Sequence, residues 1–185
     1  MCHVICLFLT ARLSNILPAS AARFDPSRDL CHQNIQCIDS YIVVIFYWSK
    51  TIQFREQRLG IPLVPISGSP LCPVSAFHKM IDLVPTSSTS PAFCHHHRSQ
   101  LVPLTKSIFL RTFRELLVRA NVPAAACYRK HSFRRGGATY AFRLGVPGEL
   151  IECMGDWKSD AYKRYLEFSF DTLLMVSCRM RDSTL

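Results

Sequence analysis

The chain has 185 residues, 49% hydrophobic and 19% charged, a balance that supports one domain with a real core and excludes global disorder. The formal net charge is +9, and ten Lys or Arg against one acid, Glu115, fall between Arg98 and Gly145. Twelve basic and twelve acidic residues elsewhere cancel, so one stretch carries the whole imbalance, a field suited to a polyanion such as nucleic acid or, alternatively, a solvated basic face.

The opening "MCHVICLFL" lacks a basic leader and a small-residue cleavage site, and no apolar run reaches membrane-spanning length. It reads as a buried helix over about Cys2 to Leu17 closed by Pro18, the expected stump of a longer one. Three strand signals follow: "NIQCI", the β-branched and aromatic "YIVVIFYW", and "RLGIPLVPI", whose prolines mark an edge or an end. Between the last two, "SKTIQFREQ" reads as a hairpin tip. Val74, Phe77, Ile81 and Val84 share one helical face. "VPTSSTSPAF" is a loop. "CHHHR", Cys94 to Arg98, is a polar loop rather than a zinc site, because four adjacent residues cannot wrap one tetrahedral ion and no second ligand pair stands nearby. A helix over Thr105 to Ala120 turns Phe109, Phe113, Leu116, Leu117 and Ala120 to the core, leaving Lys106, Arg111 and Arg114 in water. The next helix takes Ser132 as its N-cap and stops at Gly145. "PGELIECMG", with Pro147 in its first turn, "SDAYKRYLEF" and "DTLLMVSC" complete an α+β chain: mostly helical, with a small three-stranded antiparallel sheet near the N-terminus. The expected organisation is one catalytic-type domain over 1–185, with the sheet at 33–66 and the helical part at 73–180. Nine Cys at irregular spacings without a CxxC pair indicate a reducing, intracellular compartment.

The chemistry concentrates in "YRKHSFRRGGATYAF", Tyr128 to Phe142. His131 and Arg134 stand at i and i+3 near a helix N-terminus, where backbone N–H groups add positive potential. Arg129, Lys130 and Arg135 flank them, and Gly136 and Gly137 leave room for a close approach. Alone, this reads as a surface His beside an Arg. Upstream, Arg12 lies among apolar neighbours, where an unpartnered guanidinium would be costly, so it expects a buried anionic partner or a ligand. Lys50 stands at the hairpin tip. Downstream, "GDWKSDAYKRYLEF" sets Trp157 at a turn and Tyr165 eight residues later.

In chain order these are Arg, Lys, His-x-x-Arg, Trp and Tyr. The set resembles the catalytic domain of the tyrosine recombinase (phage integrase) family. "HSFRRGGATYAF" followed by "GVPGELIECMGDWKSDAYKRYL" is most similar to its eukaryotic mobile-element branch, of the DIRS and Crypton type. The resemblance spans nearly the whole chain and implies DNA strand cleavage and rejoining, for recombination or integration, through a 3′-phosphotyrosyl intermediate. It implies that Arg12 and Arg134 clamp the non-bridging phosphate oxygens, and that His131 and the Trp157 indole N–H donate as charge develops. Tyr165 would attack phosphorus and Lys50 would protonate the departing 5′-oxygen. Neither metal nor other cofactor is expected. The partner is double-stranded DNA, held by Lys106, Arg111, Arg114, Arg129, Lys130 and Arg135, with a DNA-dependent homo-oligomer, no membrane and no small-molecule substrate. A eukaryotic host would place it in the nucleus.

The chain departs from the family in three respects. By the resemblance, an additional N-terminal helical domain and most of the helix leading into Arg12 are expected to be missing from these residues. The gap from Trp157 to Tyr165 is one residue short of the commoner bacterial spacing. Tyr162 stands as a rival nucleophile, and a catalytically inactive or domesticated DNA-binding domain is the competing reading.

Overall fold

The computed structural model describes residues 2–49, 58–166 and 170–182. Its architecture is α+β. Helix α1 (Cys2–Leu9) and the short α2 (Leu13–Ile16) are followed by strands β1 (Ile35–Ile38), β2 (Tyr41–Phe46) and β3 (Leu59–Leu63), then helix α3 (Pro73–Leu83). A hairpin of β4 (Cys94–His97) and β5 (Gln100–Pro103) leads to α4 (Lys106–Arg119), α5 (Ser132–Arg143), α6 (Gly148–Gly155), a 3₁₀ helix over Asp160–Tyr165, and α7 (Phe170–Asp182).

The three-stranded sheet is antiparallel in the order β1-β2-β3. β2 is central, and its alternation follows from the pleat: Ile42, Val44 and Phe46 are buried while Tyr41, Val43 and Ile45 are half-exposed. Pro62 lies on the outer strand, opposite Val43, where a residue without an N–H costs little. The sheet's inner face packs with Ile5, Leu9, Ile16, Phe77 and Phe109 into the main core. A second, smaller cluster, formed by Ala138, Ile151, Trp157 and Tyr162, joins α5, α6 and the 3₁₀ helix. α1 packs on α5, and this contact connects the two clusters.

Several local expectations need correction. The first helix does not run unbroken to Leu17. Thr10 takes a left-handed conformation (φ 47°), α1 stops at Leu9, and Arg12 sits in extended backbone ahead of α2. "CHHH" is a strand paired with Gln100–Pro103 rather than a loop; the reversal at Arg98 and Ser99, both at positive φ, closes a two-residue hairpin. On α4 only Phe109 is fully buried, with Phe113 and Leu117 partly so, and Leu116 and Ala120 are exposed. The apolar stripe drifts outward because the last turn of α4 extends past the core. Ser132 opens α5, but the N-cap position is His131, without a side-chain cap bond; the Ser132 hydroxyl instead accepts from the Arg129 N–H at 2.9 Å. The segment after Trp157 is 3₁₀ rather than α-helix as far as Tyr165. Gly145 ends α5 at φ 79°, as expected. The hairpin tip 50–57, with Lys50, lies outside the described residues.

Candidate active site

Arg134 organises the centre. It belongs to the first turn of α5, is 2% exposed, and is among the largest fully buried side chains. A buried cation is tolerated only if its donors are used. Its Nη1 donates to the Thr10 carbonyl at 2.8 Å and to the Gly155 carbonyl at 2.6 Å. The guanidinium carbon lies 3.5 Å from the centroid of the Trp157 ring, a stacked cation–π contact in a desolvated setting. One side chain thus ties together the break after α1, the start of α5 and the end of α6.

Gly155 makes that arrangement possible. It carries no side chain, and the Trp157 ring occupies the space that a Cβ would take. Trp157 is 9% exposed and packs at a tilt against Tyr162, 6.2 Å between centroids. Tyr162, the rival phenol, is 5% exposed and lies against Gly148. The Gly136–Gly137 pair behaves differently from expectation. Gly136 faces open space and only Gly137 is buried, because adjacent helical residues point about 100° apart. Close approaches are also found at Gly148 and Gly155.

Arg12 meets an anionic partner, as its apolar setting demanded. Its Nη1 lies 3.3 Å from Asp156 Oδ2, with 24% of the Arg12 side chain and 14% of the Asp156 side chain exposed. The same Oδ2 accepts from the Ser49 hydroxyl at 2.7 Å. Asp156 holds a left-handed conformation (φ 54°, ψ 51°) at the end of α6, and its N–H bonds back to Cys153. Ser49 directly precedes Lys50. Sequence reasoning missed both Ser49 and Asp156, although an acid between Gly155 and Trp157 was a visible signal.

His131 stands at the mouth, exposed. Partial desolvation of its ring, followed by the positive charges of Lys130, Arg134 and Arg12, lowers its pKa below the ordinary 6.5. The imidazole is therefore neutral at pH 7, with one nitrogen to donate and one to accept. Arg134 stands one helical turn from His131 on α5 and bonds the Thr10 carbonyl, two residues before Arg12, so the three positions are neighbours.

Of the expected catalytic set, Arg12, His131, Arg134 and Trp157 converge. Lys50 and the side chain of Tyr165 lie outside the described part of the chain; the Tyr165 backbone closes the 3₁₀ helix that packs on α5. Of the expected DNA contacts, Arg114, Arg129 and Lys130 line one depression with His131, of about 540 Å³. Arg114 Nε is fixed by the Tyr128 carbonyl at 3.0 Å. Arg135 is exposed one residue beyond Arg134. Arg111 points elsewhere on α4, beside Glu115 at 3.9 Å, and Lys106 is half-buried at the start of that helix.

Solved structures share this fold. XerH site-specific recombinase bound to a palindromic difH substrate, as a post-cleavage complex, superposes with a TM-score of 0.61 at 13% identity over 95% of this chain and 43% of that one. XerA recombinase gives 0.61 at 16% identity, over 96% and 54%. The Tn1549 transposon integrase in complex with circular intermediate DNA gives 0.54 at 12% identity, over 95% and 55%. The chain spans about half the length of these recombinases. No protein-family model and no curated protein matches it.

Proposed function

We propose that this chain is the catalytic portion of a tyrosine recombinase, of the eukaryotic mobile-element branch, that breaks and rejoins DNA through a 3′-phosphotyrosyl intermediate. The observation that carries the reading is the convergence of Arg12, His131 and Arg134. Arg12 meets His131 and Arg134, more than a hundred residues further along the chain, in one cationic field, in a fold shared with XerH, XerA and the Tn1549 integrase.

A phosphodiester resists attack because its anionic oxygens repel the nucleophile. Arg12, still partly open, offers forked donors to a non-bridging oxygen. Arg134 adds a buried positive charge behind it, which acts strongly in a poorly solvated site. The ring of Trp157 holds that guanidinium in place, and its N–H is the further donor. The Tyr165 phenol oxygen bonds to phosphorus as the bond to the 5′-oxygen breaks. The phenol proton passes to a base, for which neutral His131 is suited, and Lys50 protonates the 5′-oxygen. Bond count is conserved, so the 5′-hydroxyl of a second strand reverses the step without ATP. The basic depression of Arg114, Arg129 and Lys130 then holds the flanking backbone, with Lys106, Arg111 and Arg135 as outer contacts. Assembly as a DNA-dependent homo-oligomer in the nucleus belongs to the same proposal.

A second reading, a domain that holds DNA without cutting it, draws on the carboxylate of Asp156 beside Arg12 and on the near-complete burial of Arg134. The test uses a nicked-duplex library with randomised flanks. A detergent-resistant adduct whose nucleotide maps to the peptide bearing Tyr165 is expected. Salt-sensitive retention of the library with no adduct would favour the second reading and overturn the first.

A further inference from the structure

Asp156 stands in an unusual place for an acid. A left-handed position just past a helix end is where Gly is the default residue, and an Asp there costs backbone energy that Gly would not. Its carboxylate also lies beside the Arg to which the proposed function gives a phosphate, where a negative charge should weaken DNA binding. A group that is unfavourable on both counts is explained by its contacts. Oδ2 receives the buried Ser49 hydroxyl, Ser49 being 1% exposed, at 2.7 Å and faces Arg12 Nη1 at 3.3 Å. The short bond fixes the carboxylate to the end of the β2 segment. The longer contact orients one nitrogen of Arg12, and the guanidinium retains further N–H donors.

We propose that Asp156 is a positioning residue of the strand-cleavage centre: anchored by Ser49, it holds Arg12 in the orientation that presents its remaining N–H groups to a DNA phosphate. It also joins the end of α6 to the residue preceding Lys50. Three chain segments carrying expected catalytic groups are thereby registered by one carboxylate. The inference rests on the recombinase reading for what Arg12 binds, but the geometry of the contact stands apart from it.

The test separates the two. Asp156→Asn keeps the shape and a residue that tolerates the left-handed backbone, and removes the charge. Asp156→Gly removes the group without backbone strain. Both are compared with the parent for adduct formation and for affinity to the enriched nicked duplex. The expected result is a split: affinity unchanged or up to about threefold tighter, with cleavage slowed at least about tenfold, a misplaced donor being costly to rate. Ser49→Ala should slow cleavage similarly, and the Ser49→Ala, Asp156→Asn double variant no further than the worse single, as residues of one network do. Faster cleavage in Asp156→Asn would make the carboxylate a mere competitor of phosphate. A parallel loss of affinity, cleavage and melting temperature would make it only structural. Either outcome overturns the proposal. The second arm needs no cleavage. The Arg12 Nη–H NMR signals, assigned with Arg12→Lys, should be resolved in the DNA-free parent and averaged in Asp156→Asn. An identical averaged signal in both refutes the positioning role. Absence of any adduct from the parent refutes the recombinase reading, and the NMR arm then still decides this one.

Discussion

Replacing Gly155 by Ala should loosen the whole centre. The added methyl falls inside the space of the Trp157 ring, and that ring is 9% exposed and stacked 3.5 Å from the Arg134 guanidinium. The ring must move, and Arg134, whose Nη1 already uses the Gly155 carbonyl at 2.6 Å, must move with it. Overpacking of a filled core costs about 1–3 kcal/mol, and loss of a desolvated cation–π contact about 2 kcal/mol. The better helix propensity of Ala returns roughly 1 kcal/mol, leaving a net loss of about 2–4 kcal/mol. For a domain of this size that lowers the melting temperature by roughly 5–15 °C. The assay is thermal unfolding, with fluorescence in a Trp48→Phe background so that Trp157 alone reports. A variant within about 0.5 kcal/mol of the parent, the level of an ordinary surface change, with unchanged Trp157 emission, would refute the stacked arrangement of Gly155, Trp157 and Arg134.

Arg134→Lys keeps the charge but loses the planar fork; it should reduce single-turnover cleavage at least about a hundredfold and leave a lower melting temperature, and a variant retaining a tenth of parental cleavage would contradict the role given to Arg134. His131 has a pKa below 6.5, so its neutral form persists at neutral pH and its folded-state contribution is lost only as pH falls below that value; the acidic limb of kcat/KM for the free protein should lie under pH 6.5 and vanish in His131→Gln, and an unchanged limb would remove His131 from the chemistry. Arg129→Ala and Lys130→Ala should each lower the slope of log affinity against log salt by about 0.9, measured by anisotropy on a duplex, whereas an unaltered slope would take the depression beside His131 out of the DNA interface.

The sequence was most informative where side chains themselves carry the structure. The β-branched run Tyr41 to Phe46 marked a strand, which proves to be the central one, and the prolines near β3 marked an edge or an end, which proves to be an edge. The spacing of Val74, Phe77 and Ile81 marked α3. Arg12 in an apolar setting demanded a partner, and it has one in Asp156. What stayed hidden was set by backbone and by distant chain. The acceptors of Arg134 are the carbonyls of Thr10 and Gly155, which no residue type advertises. The break after α1 depends on the left-handed Thr10, which hydropathy does not register. Asp156 reads as a turn residue until Ser49, 107 positions away, is placed against it. The strand at Cys94–His97 was obscured because its polar residues carry no alternation, and pairing with Gln100–Pro103 supplies its order. That Tyr162 is buried was likewise not legible in its spacing.

The central claim is that the field of Arg12, His131 and Arg134 activates a DNA phosphate for attack by one phenol. Covalent trapping on a nicked duplex enriched from the randomised library, comparing the parent with Tyr165→Phe and Tyr162→Phe, addresses it most directly. The account predicts an adduct from the parent, none from Tyr165→Phe, and at most a stability-related decrease from Tyr162→Phe. An adduct of parental yield from Tyr165→Phe would contradict it.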